Sequence, residues 1–338
     1  MDGWQIIADE HGLFGASEAR RAGLVWRDLA RLTRDEQVVR LSRGWYTLPP
    51  PPLPADKDSP AERRRQLHAL VTHAMIREFA GRAVASHHSA LVLGSLPIFA
   101  ADLRQVHVTR VADDHSRRRD RLSVHEQVVG AGSERGIIET AVAVVQTGAV
   151  NGPMAALVAA DAALHRHVIT SEDLGRATSI VDGPGVGPVR RILAHADPRS
   201  ESPGETRLRH AMTLMGLPTT PQFSVEDDDF LAIVDLLLDD APVVIEFDGF
   251  VKYGRTVTRP GDLAPGDVVF AEKVREDRLR TLGYEVVRVI WSDLEDLPAL
   301  RRRIEAAIGR TRGRRVACSR SVDSLDQVSP ASSLRAPC

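Results

Sequence analysis

One short run, V243-V-I-E-F-D-G-F-V-K-Y-G254, carries residues that could do chemistry. Val243 to Ile245 with Phe247 reads as a strand buried in a sheet. Glu246 and Asp248 lie on and beside it, and Lys252 follows. A buried charge is costly unless it is paired or bound to a metal. Two residues apart on a strand, Glu246 and Asp248 leave the same face about 7 Å apart. Asp235 sits in the middle of F230-L-A-I-V-D-L-L-L238, a second apolar strand. The turn Asp239-Asp240-Ala241-Pro242 joins the two strands tightly, so Asp235 can lie beside Glu246. Acids this close raise each other's pKa. A hard divalent cation with oxygen ligands, Mg2+ or Mn2+, turns that cost into a site. Such a metal polarises a phosphoryl oxygen and lowers the pKa of a water, while a nearby lysine offsets developing negative charge. The chemistry indicated is metal-assisted phosphodiester hydrolysis.

The elements that must position these residues are legible around them. Ser202, Pro203 and Glu205 fit the N-cap, first and third positions of a helix, a capping box with proline in its preferred place. Leu208, Met212 and Met215 make that helix's apolar stripe, and Gly216 ends it. After the two acidic strands comes a Gly- and Pro-rich loop, then the helix V268-V-F-A-E-K-V-R-E-D-R-L-R-T-L-G283. The strand Y284-E-V-V-R-V-I290 and the helix L297-P-A-L-R-R-R-I-E-A-A-I308 close the segment. The expected order is αββαβα, helices packed on a sheet. Arg288, within a strand, reads as a partner for an acid.

The rest of the chain divides at its breakers. At 338 residues it is long enough for two or three domains. The proline-rich run from Thr47 to Pro60, T-L-P-P-P-P-L-P-A-D-K-D-S-P, is stiffened by its prolines and reads as a linker over 49–59. Residues 1–48 and 60–200 flank it, 201–309 carry the acidic strands, and 310–338, rich in Ser and Arg, reads as a disordered tail. With 43% apolar and 27% charged residues and a net charge of −2, the chain is no globally basic nucleic-acid binder, so any DNA contact needs a local patch. Cys318 and Cys338, its two cysteines, both fall in the tail, so the folded part has no cysteine metal site. No run approaches a membrane span and no signal peptide opens the chain, so the expectation is a cytoplasmic protein without a membrane partner.

Residues 1–48 read as a winged helix-turn-helix. Three helices are expected, D2-G-W-Q-I-I-A-D-E10, G15-A-S-E-A-R-R-A-G23 and V25-W-R-D-L-A-R-L-T-R-D-E36, then a hairpin over Q37-V-V-R-L-S-R-G-W-Y-T-L48. In the third helix Trp26, Leu29 and Leu32 share one face. Between Ala16 and Trp45 seven arginines stand against four acids. Arg27, Arg31, Arg40 and Arg43 are the candidates for phosphate contact, although arginines also simply cover small domains. The middle region, 60–200, is mixed α/β, with S86-H-H-S-A-L-V-L93 as a helix capped by Ser86, strands at R104-Q-V-H-V-T-R-V111 and R121-L-S-V-H-E-Q-V-V129, and a helical pair with Ser171 as second cap. His87, His88, His165 and His167 lack an acid or cysteine at helical spacing and read as surface and packing residues.

Two stretches resemble known families. The run E205-T-R-L-R, then Asp235, E246-F-D-G249, E272-K-V-R-E-D277 and G283-Y-E-V-V-R-V289 resembles the very-short-patch-repair endonuclease-like domains of the PD-(D/E)XK superfamily. The likeness covers 201–297 and implies a restriction-endonuclease-like core with Asp235 and Glu246 as metal ligands. Glu205 is either a third ligand or only the capping acid. The superfamily's lysine belongs two residues after the glutamate, where this chain has Asp248. The resemblance then implies that its role falls to Lys252 or Lys273, the latter also a helix partner for Asp277, or is lost. G12-L-F-G-A-S-E-A-R-R-A-G-L24, R27-D-L-A-R-L32 and V38-V-R-L-S-R-G-W-Y-T-L48 resemble the winged helix of abortive-infection type IV antitoxins.

The readings that follow are a Mg2+- or Mn2+-dependent deoxyribonuclease on double-stranded DNA, or a DNA-binding regulator or antitoxin-like protein whose nuclease-like domain no longer cuts. A third is a pure interaction module. Homodimerisation and a toxin or defence-system partner protein are the further partners these readings admit.

Overall fold

The computed structural model describes residues 7–54, 58–112, 115–227, 230–249 and 265–312. Lys252, the first expected helix up to Ile6, and the tail from 313 lie outside the described residues. The protein is mixed α/β and divides into two compact units, 1–198 and 199–338.

The first unit opens with β1 (Leu13–Gly15), α1 (Ala16–Arg21), α2 (Trp26–Arg34), β2 (Val39–Ser42) and β3 (Trp45–Thr47), whose strands form a sheet in the order β1-β3-β2. Phe14, Ala19, Leu29, Leu32 and Val38 are its core. Trp26 does not join them: it is 77% exposed at the start of α2, where the small sheet offers no surface to cover it. A bulge between Arg40 and Ser42 and Gly44 at φ +83 turn the β2–β3 hairpin.

The proline-rich stretch does not leave this element isolated. Gln66 Nε2 on α3 (Pro60–Phe79) donates to the carbonyl of Pro51 at 3.3 Å. Near the other end of α3, Arg77 donates to Asp9 Oδ2 at 2.7 Å, Glu18 Oε1 at 2.6 Å and the Leu13 carbonyl at 3.1 Å, its guanidinium 4.9 Å from the Trp45 ring centroid. Removing a charged donor that satisfies three half-buried acceptors costs about 2 kcal/mol. The Arg77→Met variant is therefore expected to show faster amide exchange over residues 13–47 while residues 140–165 are unchanged; equal exchange in both would contradict it.

The remainder of the unit is β4 (Ala83–Ala85), α4 (His87–Leu93), β5 (Val106–Arg110), β6 (Arg117–Arg119), β7 (Leu122–His125), β8 (Ser133–Glu134), β9 (Ile137–Ile138), α5 (Thr140–Asn151), α6 (Pro153–His165), α7 (Ser171–Ile180) and α8 (Val186–Leu193). The strands make a sheet in the order β6-β7-β5-β4-β9-β8. Two expected caps differ. Thr170, not Ser171, caps α7, because its hydroxyl accepts from Asp173 N while the Asp173 carboxylate returns to Thr170 N. Ser86 precedes α4, but its hydroxyl bonds His87 Nδ1 instead of the helix.

The second unit runs α9 (Pro203–Leu214), β10 (Thr219–Asp227), β11 (Phe230–Leu238), β12 (Val243–Phe247), α10 (Pro265–Thr281), β13 (Glu285–Val289) and α11 (Leu297–Thr311). The order is αβββαβα, one strand more than expected. T219-T-P-Q-F-S-V-E-D227 hid it, since Pro221 and the polar residues break the alternation; an edge strand tolerates both, and β10 is the edge of the sheet β10-β11-β12-β13. β12 pairs antiparallel with β11 and parallel with β13. It is buried on both faces: Val243 and Ile245 pack with Leu208, Met212 and Ile304, and Val244 packs with Leu279 and Tyr284. No helix among the described residues is long and apolar enough to cross a membrane.

Candidate active site

Glu246 has the same strand parity as Val244, so it leaves β12 on the side that α10 covers. β11 pairs with β12 as far as Leu236 with Ile245, and Asp235, the next residue, lies near enough to Glu246 to feel its charge. Asp235 Oδ2 accepts the Phe247 backbone N–H at 2.7 Å. Burial, then the charges of Glu205 and Glu246, push its carboxyl up to about 6 against the pull of that N–H and of Arg275. Opposite Asp235 on its other side, Gln222 of β10 stands at φ +50, a left-handed conformation that interrupts the ladder between Pro221 and Phe223. Its amide donates to Glu205 Oε2 at 3.1 Å.

Glu205 is the capping acid of α9. Its oxygens accept from Ser202 Oγ at 2.7 Å and Glu201 N at 2.9 Å, and its own N–H donates to Ser202 Oγ at 3.2 Å. It serves the cap and still lies close enough to act on Asp235.

Glu246, 9% exposed, is held by arginines. Arg275 reaches its Oε1 through both terminal nitrogens, at 2.8 and 2.6 Å, and also donates to the Ile233 carbonyl at 3.0 Å. Arg288 stands 3.9 Å from Oε2 and 3.1 Å from Glu276, in line with its reading as an acid's partner. The cation at these acids is thus Arg275, not Lys273. Lys273 is exposed on α10 and makes no hydrogen bond or ion pair with a described residue, so the expected pair with Asp277 is absent; Asp277 lies 4.0 Å from Arg280 instead. Two residues of α10 are about 200° of rotation, so position 273 faces water while 275 falls on the side toward the sheet. Asp248 is half-buried past the end of β12, its N–H donating to the Val289 carbonyl at 2.8 Å.

In the first unit Arg27, Arg31, Arg40 and Arg43 are all exposed. Arg27 and Arg31 share α2 with Trp26, and Arg40 and Arg43 belong to the β2–β3 hairpin, so the structure brings the four onto one small element. Arg31 lies 3.6 Å from Asp28.

Among the described residues, one trio of His, Cys, Asp or Glu side chains offers ligand atoms all within 4.8 Å of one another: His87, His107 and His125. Asp235, Glu246 and Glu205 do not form such a trio. Sequence reasoning considered His87 only with other helical histidines; the strand pattern V106-H-V and S123-V-H was the available signal. His165 instead bonds the Pro198 carbonyl at 2.9 Å and His167 is exposed.

No protein-family model matches the chain, and no curated protein matches it.

Proposed function

We propose that the second unit is an endonuclease-like domain of the PD-(D/E)XK kind, hydrolysing DNA phosphodiesters with Mg2+ or Mn2+, and that the N-terminal element is a winged helix that brings it to the duplex. The observation that carries this reading is Asp235, a largely buried acid set against Glu246 and raised to about 6 by burial and by the charges of Glu205 and Glu246. A carboxylate in that setting gains most from a cation, and an all-oxygen donor set fits a hard one. When bound, the metal supplies a polarised phosphoryl oxygen and a water of lowered pKa. The chain itself supplies the rest. Asp235 and Glu246 present the oxygens, the Phe247 N–H orients Asp235, and Arg275 keeps a positive charge where phosphate charge would grow. Trp26 beside Arg27 and Arg31 adds an exposed aromatic to the basic face.

A second reading has its own support. Arg275 occupies Glu246, and Asp248 stands where the resemblance calls for lysine; both suit a DNA-binding regulator or antitoxin-like protein that no longer cuts, in a homodimer or with a toxin or defence-system partner.

Nicking of supercoiled plasmid separates them. Wild type with Mg2+ or Mn2+ is expected to nick, and Asp235→Asn and Glu246→Gln to lose about 100-fold or more, the scale of removing one charge-stabilising group. The double variant Arg27→Gln/Arg31→Gln is expected to bind DNA more weakly, with a salt slope lower by about 1 to 2. Folded wild type that binds plasmid and leaves it intact would sink hydrolysis and leave the regulator.

A further inference from the structure

The clustered histidines of the first unit lie apart from the carboxylates of the second, and two of them are spoken for. His68 bonds the Leu103 carbonyl at 2.8 Å and Ser89 Oγ at 2.9 Å; His88 bonds Asn151 Oδ1 at 3.3 Å and the Gln105 carbonyl at 3.0 Å. Both rings have used both nitrogens. His87, His107 and His125 have not. His87 Nδ1 bonds Ser86 Oγ at 3.0 Å, and His107 Nδ1 meets His125 Nε2 at 2.9 Å; among the described residues no other ring hydrogen bond involves these three.

The sheet brings them together. β5 and β7 are parallel with Thr109 opposite His125 and His107 opposite Ser123, so His107 and His125 are diagonal neighbours on one face. β4 pairs with β5 on its other side, and α4 begins with His87 two residues after Ala85, which pairs with Val108. His87 adopts φ +53, left-handed for a residue with a side chain, a conformation that costs on the order of 1–2 kcal/mol and persists where the surroundings impose it. Neutral imidazole is the form that ligates a metal.

We propose that His87, His107 and His125 form a Zn2+ site with an open fourth position. Imidazole nitrogens suit zinc, and three of them with one place left open is the arrangement of exchangeable rather than closed structural sites. Around tetrahedral zinc the ligand nitrogens stand about 3.3 Å apart; here they lie within 4.8 Å, with one pair at 2.9 Å, so modest ring rotations converge them. Ser86 Oγ already fixes the far nitrogen of His87, the outer-shell support that metal-bound histidines use. His107 and His125 also line a cavity of about 350 Å3 with Arg117, Arg118 and Ser123. The lining also holds Asp102, and its two arginines suit a hydroxide or a small anion in the open position, which offsets the charge of the ion.

The test uses the full-length chain freed of metal by a chelator and titrated with Zn2+ and Co2+. Wild type is expected to hold one ion per chain tightly in the presence of excess Mg2+ and, with Co2+, to show the strong visible bands of a tetrahedral site. His87→Gln, His107→Gln and His125→Gln are each expected to weaken binding by about 100-fold or more, and Ser86→Ala by about 10-fold, following the effect of outer-shell partners. His68→Gln and Asp235→Asn are expected to keep the ion. Folded wild type without stoichiometric binding or without the Co2+ bands overturns the site, as does binding that survives loss of the three histidines or disappears in Asp235→Asn. Should the ligand variants fail to fold, the Co2+ spectrum of wild type decides.

Discussion

The Asp235→Asn variant is expected to be more stable than wild type at pH 8, by about 2 to 3 kcal/mol in the second unit, and equally stable near pH 3.5. The folded carboxyl titrates at about 6, the unfolded one at its ordinary 3.8. Below 3.8 both states hold the proton and the carboxylate costs nothing. Between 3.8 and 6 the unfolded chain releases its proton while the fold retains it, so stability falls as pH rises. Above 6 the whole cost is present: a gap of about two units at 1.36 kcal/mol each sets a ceiling near 3 kcal/mol, and the solvent that still reaches the group trims it. Asparagine keeps an oxygen for the Phe247 N–H and removes the charge. Urea unfolding followed at Trp291, together with exchange of the Phe247 amide, measures the difference. A gap that does not change from pH 4 to pH 8 would show that neither burial nor the neighbouring carboxylates raise the Asp235 carboxyl. Millimolar Mg2+ at pH 8 is expected to narrow the gap by stabilising wild type alone, as any ligand of the native state does.

The Gly204→Ala variant is expected to lose about 1 to 2 kcal/mol, although alanine improves most helices. Gly204 lies in the first turn of α9, and a Cβ there would stand 2.0 Å from Phe247 Cε1 and 2.2 Å from its Cδ1. The ring cannot easily retreat, because Trp291 meets it edge-on at 4.8 Å between centroids. Overpacking of this kind costs about 1–3 kcal/mol, against a gain of under about 1 kcal/mol from helix propensity. Phe247 also supplies the N–H that orients Asp235, so the displacement reaches the site. A smaller side chain should restore the room: Gly204→Ala/Phe247→Leu is expected to be more stable than the sum of its single changes. A melting temperature equal to wild type for Gly204→Ala would refute the packing argument.

Local signals were legible where the residues that make an interaction are close in the chain. Ser202, Pro203 and Glu205 spelled the start of α9, and the turn after Leu238 implied the antiparallel pairing of β11 with β12 that brings Asp235 near Glu246. Legibility failed where partners are distant or nearly equivalent. Thr170 and Ser171 are both capping residues, and only geometry chooses between them. Trp26 has the spacing of a core residue but stays exposed among the described residues. Arg275 and Lys273 are two cations on one helix, and which of them turns inward depends on the rotation of α10 against the sheet. His107 and His125 come from separate strands, and their meeting with His87 needs a three-strand order that alternation alone does not give.

The two neighbours of β12 differ in how far away they are in the chain. β11 precedes it by one short turn, whereas β13 arrives only after α10, with Val243 paired to Glu285. Short loops close at little entropic cost and long ones at more, so the β10–β11–β12 meander can assemble while the rest of the unit is still unstructured. Both guanidinium groups near Glu246, from Arg275 and Arg288, come from the later half. During synthesis the acidic face of the sheet therefore leaves the ribosome before its counter-charges do, and the nascent chain, not the finished protein, is the species in which Glu246 is most exposed.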